Sequence, residues 1–287
     1  MSSRSTVVPI VFVVMLRCVG WAWAAPAYTV TVIPSLPGDV LGGAGGLNNA
    51  GQVIGGNYNL TTGGEDSYLW SGGTLTNLGY LPGGTTCTAN AINDSGQIVG
   101  YGGTSETGGA FLYQNGTMTN LGALQGDWYS GAFGINASGQ IAGYSSLFTD
   151  HAVVFSNGTI TNLTASTGMV GIARAINGNG EVVGIGELTG HESGVCHAYD
   201  FTTKTDLGTL GGQNSDAYGI NNSGQIVGYA ATASGAWHPF LYSNGQMIDL
   251  GPLDGVYTEG IAGSINAAGQ IVGYMEDPAT SAERAFL

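Results

Sequence analysis

Ile220-Asn221-Asn222-Ser223-Gly224-Gln225-Ile226-Val227-Gly228-Tyr229 is one copy of a stretch that recurs six times along the chain. Its anchoring asparagine stands at Asn48, Asn93, Asn136, Asn177, Asn221 and Asn266, at separations of 45, 43, 41, 44 and 45 residues. A period of that length marks a repeat architecture. Each unit is then one supersecondary element that buries its apolar face only against its neighbours.

The residues around the asparagine say what the unit is. Four positions before it stands alanine in every copy: Ala44, Ala89, Ala132, Ala173, Ala217 and Ala262. Two positions before it stands a small residue: Gly46, Ala91, Gly134, Ala175, Gly219 and Ser264. Residues two apart share one face of a strand. A strand without bulk on one face is approached closely by something, as the innermost strand of a radial array is. The asparagine opens a tight turn closed by Gly51, Gly96, Gly139, Gly180, Gly224 and Gly269. Asn first and Gly fourth fit a type I turn, the glycine being free to take positive φ. A second strand follows at once, as in Gln97-Ile98-Val99-Gly100-Tyr101, rich in residues that suit a pleated, buried surface.

A variable connection of roughly 8 to 12 residues then leads to a third strand, as in Phe111-Leu112-Tyr113 and Phe240-Leu241-Tyr242. Asn115-Gly116, Asn157-Gly158 and Asn244-Gly245 come next, and Asn-Gly is a strong hairpin signal. Copy four has Thr202-Thr203-Lys204 instead. The fourth strand ends in Leu-Gly at Leu78-Gly79, Leu121-Gly122, Leu207-Gly208 and Leu250-Gly251. Four short antiparallel strands per unit make one blade of a β-propeller, so the chain is expected to be all-β with six four-stranded blades. The last unit reaches only its third strand at Ala285-Phe286-Leu287. Thr31-Val32-Ile33-Pro34-Ser35-Leu36-Pro37-Gly38 parallels Thr76 to Gly83. The segment Tyr28 to Ile33 is therefore in register to close the last blade as its fourth strand, removing two exposed edges. Alternation of strand direction puts the Asn-x-x-Gly and Asn-Gly turns on one face of the disc and the longer connections on the other.

The chain has 287 residues, 52 of them glycine, with 8% charged and a formal net charge of −14. Arg4 and Arg17 lie in a leader: an apolar run from Val7 to Leu16, then Arg17, then Val19 to Ala25 with the small-x-small pattern Ala22-Trp23-Ala24. This reads as a secretory signal peptide over 1–24, its apolar run too short to span a bilayer. Residues 25–287 then form a single repeat domain with three basic residues, Arg174, Lys204 and Arg284, against 19 acids, giving 3 − 19 = −16. Three cations cannot build the positive surface that nucleic acid or anionic lipid requires. The expected protein is secreted, monomeric, without a membrane span and without a nucleic-acid partner. Beyond the leader the cysteines are Cys87 and Cys196, at different positions of non-adjacent repeats, and are expected as free thiols.

These repeats resemble those of the bacterial HAF-repeat proteins, named for a His-Ala-Phe tripeptide. The resemblance spans 28–287 and is strongest over Asp206-Leu207-Gly208-Thr209-Leu210-Gly211-Gly212 leading to Ala217-Tyr218-Gly219-Ile220-Asn221. The tripeptide itself is imperfect here, appearing as His151-Ala152-Val153, His197-Ala198-Tyr199, His238-Pro239-Phe240 and Arg284-Ala285-Phe286. The resemblance implies secretion and a repeat scaffold and carries over no catalytic residue.

No catalytic constellation stands out, and no cofactor is expected. His151, His197 and His238 share one repeat position, but Ser67, Gly109 and Arg284 occupy it in other copies; a metal or catalytic ring would not tolerate that. His191, Glu192, Cys196 and His197 cluster in one loop without a recognisable zinc spacing. Trp128-Tyr129, Trp237 and Tyr257 fall in or beside the long loops, where function usually sits on a rigid scaffold. They are the candidate binding residues, with an extracellular glycan or protein as partner. The alternative is a carbohydrate-active hydrolase or lyase using loop acids such as Asp127, Asp254, Glu259 and Glu276. It requires two carboxylates from different blades within about 10 Å of each other.

Overall fold

The Asn-x-x-Gly turns form as the sequence predicts, and five of the six do more than turn the chain. In the computed structural model, which describes residues 31–61, 63–104, 108–187, 194–252 and 254–287, the closing glycines sit at φ between +73° and +83°. Asn136 shows the pattern. Its Oδ1 accepts from the N–H groups of Ser138 and Gln140, and its Nδ2 donates to Gln140 Oε1. The same Nδ2 donates 3.0 Å to the carbonyl of Asn177, the anchoring asparagine of the next blade. Asn48, Asn93, Asn177 and Asn221 repeat this bond to the following unit.

The strands assemble into six sheets, each paired antiparallel in chain order. The fifth blade shows the plan: Gly211–Ile220, Ile226–Thr232, Trp237–Ser243 and Gln246–Asp249. First strands of successive blades contact one another, so the first strand is innermost and the molecule is a six-bladed β-propeller. Asn115-Gly116, Asn157-Gly158 and Asn244-Gly245 all take positive φ at both residues, the type I′ geometry that matches strand twist. In copy four Lys204 takes φ +57° at the tip of the corresponding hairpin.

Two features of the inner strand escape the sequence reading. Each blade shifts register between the alanine at −4 and the small residue at −2, for example between Ala217 and Gly219. The residue between them bulges out of the ladder. In chain order these residues are Gly45, Asn90, Phe133, Arg174, Tyr218 and Gly263. Opposite the bulge the second strand carries a glycine, and its reason is steric. A Cβ on Gly228 would sit 1.9 Å from the Asp216 carbonyl oxygen, and one on Gly100 would sit 1.9 Å from that of Thr88.

The cores lie between blades. Val99 of the second blade packs with Ala132, Ile141, Val153 and Phe155 of the third. Val227 of the fifth packs with Ala262 and Ile265 of the sixth. Cys87 and Cys196 are free thiols. Outside the fourth blade the connections between second and third strands are shorter than expected, because the strands run further into them: only residues 147–149 separate Ile141–Ser146 from Asp150–Ser156.

The sixth sheet has three strands, Glu259–Ile265, Ile271–Asp277 and Ala282–Phe286. Closure by the N-terminal segment is not shown: residues 31–36 form no strand, and residues 28–30 lie outside the described residues, as does the leader. Leu36 does follow the repeat, buried like its counterpart Leu81. Among the described residues no helix is long and apolar enough to cross a membrane.

Candidate functional site

The long-loop face carries most of the exposed large apolar side chains. Trp128 is 72% exposed, Phe148 92% and Trp237 44%; Tyr58, Leu60, Tyr101 and Val256 are exposed there too. Trp128 precedes the inner strand of the third blade, its N–H donating 3.1 Å to the Ser146 carbonyl. Tyr129 is the first residue of that strand and half-buried.

Trp237 opens the third strand of the fifth blade and is held from behind. Its indole stacks on the Tyr229 ring at 4.7 Å with 4° between planes. Tyr229 in turn meets Tyr218 at 6.0 Å. The Arg174 guanidinium lies 5.0 Å from the Tyr218 ring and 5.7 Å from that of Phe133, and Phe133 stacks on Tyr144 at 5.8 Å. A continuous stack therefore runs from an exposed tryptophan across three inner strands. Phe133, Arg174 and Tyr218 are the bulge residues of blades three, four and five. Arg174 Nε donates to both oxygens of Asp216, at 3.0 and 2.8 Å. Burial pushes the Asp216 carboxyl up, with Arg174 pulling the other way. Burial lowers the Arg174 guanidinium, and its bond to Asp216 more than offsets that. The Tyr218 hydroxyl is pushed up to about 12, first by burial and then by Asp216. The stack is thus braced by an ion pair at its centre.

The outer side of Trp237 borders a cleft of about 270 Å³ between blades five and six, with Glu259, Ile261, Tyr274 and Glu276 in its walls. Glu259 and Glu276 are directly opposed on antiparallel strands, where Cβ atoms lie roughly 5 Å apart and like charges repel. Burial raises the Tyr274 hydroxyl, with Glu283 and Glu276 adding to it. The three cations of residues 25–287 are engaged elsewhere: Arg174 with Asp216, Lys204 with Ser166, and Arg284 with Asp254. The acids brought together at the cleft belong to one blade, not to two as a hydrolase was expected to need.

Tyr257 is covered. The Arg284 guanidinium lies 4.2 Å over its ring, and Asp254 Oδ1 accepts from the Val256 and Tyr257 N–H groups. Of the four sequence-predicted residues, Trp237 sits at a cleft, Trp128 and Tyr129 lie on another blade, and Tyr257 is half-buried. Sequence reasoning missed Tyr218, Tyr229, Tyr274 and Arg174. A signal existed. Tyr101, Tyr144, Tyr229 and Tyr274 all stand eight residues after their asparagine, and the bulge position carries Phe133, Arg174 and Tyr218 between two positions held by small residues.

Two of the three repeat-position histidines have structural partners. His197 Nδ1 lies 2.8 Å from Asp206 and His238 Nδ1 2.9 Å from Asp249, pairs across the third and fourth strands. Those acids also cap the Leu-Gly corner, accepting from Gly208 and Gly251 N–H groups; Asn77 and Asn120 cap Gly79 and Gly122 in the same way. Among the described residues no group of three metal-ligating side chains occurs; His191 and Glu192 lie outside those residues.

No protein-family model matches the sequence, and no curated protein matches it by sequence. Among solved structures, the fold is similar to the crystal structure of TolB from Acinetobacter baumannii. That similarity has 13% identity and a TM-score of 0.50, covering 77% of this chain and 59% of TolB. A puromycin-hydrolysing peptidase of Mycobacterium tuberculosis aligns more loosely, at 10% identity and TM-score 0.35, covering 82% of this chain and 51% of the peptidase. The likeness to TolB is one of propeller fold, and the chain spans under two thirds of TolB's length.

Proposed function

We propose that this protein is a secreted, non-catalytic binding module that takes an extracellular glycan on its long-loop face. The observation that carries the reading is Trp237: an indole stacked from behind, exposed in front, and set at the mouth of a cleft walled by Glu259 and Glu276. A rigid aromatic plane offers a stacking surface at low entropic cost, and two carboxylates accept hydrogen bonds from hydroxyl or amino groups. Like charges on directly opposed positions repel, and the amino group of an amino sugar between Glu259 and Glu276 relieves that repulsion. Export rests on the leader pattern over residues 1–24 and on the resemblance to HAF-repeat proteins.

The test is thermal unfolding of residues 25–287 against neutral and amino-sugar oligosaccharides. A ligand specific to the folded state raises the midpoint, by roughly 2.7 kcal/mol of stabilisation at a hundred times its dissociation constant. The shift is expected with amino-sugar oligomers and is expected to disappear in Trp237→Ala. Indifference to every glycan refutes the ligand class. Release of shorter oligomers on incubation, abolished in Glu276→Gln, refutes the non-catalytic reading and favours the hydrolase.

A further inference from the structure

Five seams join the six blades, and all are built alike. The anchoring asparagine of one blade donates to the carbonyl of the next. The residue six places after that asparagine is fully buried: Ile54, Val99, Ala142, Val183 and Val227 are each 0% exposed. It packs toward the alanine that stands four places before the next asparagine, as Val99 does with Ala132, Val183 with Ala217 and Val227 with Ala262. Those receiving alanines, Ala89 to Ala262, are all buried.

A sixth seam has both its halves present and unmated. Val272 occupies the position of the five buried residues and is 45% exposed. Among the described residues Asn266 Nδ2 donates to Gln270 Oε1 and to no further carbonyl. On the first blade Ala44 is exposed while its five counterparts are buried. Leu47, next to Asn48, is 48% exposed, whereas the equivalent Ile176 and Ile265 are buried. None of these residues is charged.

We propose that these two faces form one interface between copies of the chain, the sixth blade of one seating on the first blade of another. The occupant follows from the repeat. The Val272 face accepts an inner strand with alanine at −4 and an available asparagine carbonyl; Ala44 and Asn48 provide both, and a second copy presents them unoccupied. Within one chain the same structure leaves Ala44 and Val272 exposed together. The contact is heterologous, so copies either satisfy both seams reciprocally in a closed assembly or extend head to tail. The proposal departs from the monomer expected from the sequence.

The experiment is light scattering after size exclusion on residues 25–287 at micromolar concentrations. The wild type is expected above the mass of one chain. Val272→Asp and Ala44→Glu, both at exposed sites, are each expected to give a single-chain mass with an unchanged circular dichroism spectrum. Mixed together, they retain one good face each and are expected to form a one-to-one pair. A second arm reads the same contact covalently. Val272→Cys with Ala44→Cys, in a Cys196→Ser background, is expected to give multi-chain bands on a non-reducing gel. A wild type of single-chain mass at every concentration overturns the proposal. So does a crosslink confined to one chain, which means the propeller closes on itself, or association that survives both single substitutions.

Discussion

At the scale of the residue, a repeated side chain is kept by what touches it across a strand or a seam. A Cβ on Gly228 would sit 1.9 Å from the backbone carbonyl oxygen of Asp216. Gly228→Ala forces the bulged inner strand to shift, at a cost of about 3 kcal/mol, and a urea unfolding curve is expected to show it as a lower midpoint. Asp94 is the matching case for charge. Its carboxylate accepts from the Asn49 N–H at 2.9 Å and Asn49 Nδ2 at 2.8 Å, across the first seam. Those bonds, the backbone one first, hold it below the usual carboxylate range. An acid with a depressed folded pKa stabilises above its unfolded value near 3.8 and loses that contribution as pH falls through the folded pKa. Asp94→Asn is therefore expected to lower stability at neutral pH by under about 1 kcal/mol, since the pair is exposed. The gap to wild type should close as unfolding is followed below pH 4.

At the scale of the element, the anchoring asparagine links a turn to a seam. Asn136→Ala removes its four side-chain bonds and is expected to cost about 2–3 kcal/mol. Asn266 makes the same three turn bonds but, among the described residues, no seam bond, so Asn266→Ala is expected to lower the denaturation midpoint less. This contrast also marks what could be read in advance. Strands, turns and blade count are local, periodic signals, and the six copies state them repeatedly. The seam bond, the bulge and the glycine opposite it are defined only by a neighbouring strand or blade, which no single copy contains. Loop length was overread because polar residues such as Ser145 and Thr232 continue the strands. At the candidate site, Trp237 was legible as an aromatic beside a loop. Its backing by Tyr229, Tyr218 and Arg174 was not, because that stack joins residues from several blades. The cover over Tyr257 was not legible for the same reason: Arg284 comes from the third strand of the sixth sheet.

At the scale of the whole molecule, stability is close to a sum over blades and the seams between them. Inner blades are held on both sides, while the sixth blade has three strands and one seam. Hydrogen exchange is expected to be slowest in the inner strands of blades three and four and fastest in Glu259–Ile265 and its partners. Uniform protection around the molecule would show that the ends are clamped. The bulge has a different consequence at this scale. Because the residue there stands outside the hydrogen-bond ladder, the ladder does not dictate its identity, and seam contacts such as Arg174 with Asp216 do so only locally: the six units carry Gly, Asn, Phe, Arg, Tyr and Gly at one geometric address. Such a position behaves like a row of interchangeable type set in a fixed frame. Selection, or an engineer, can rewrite the word it spells without recasting the frame.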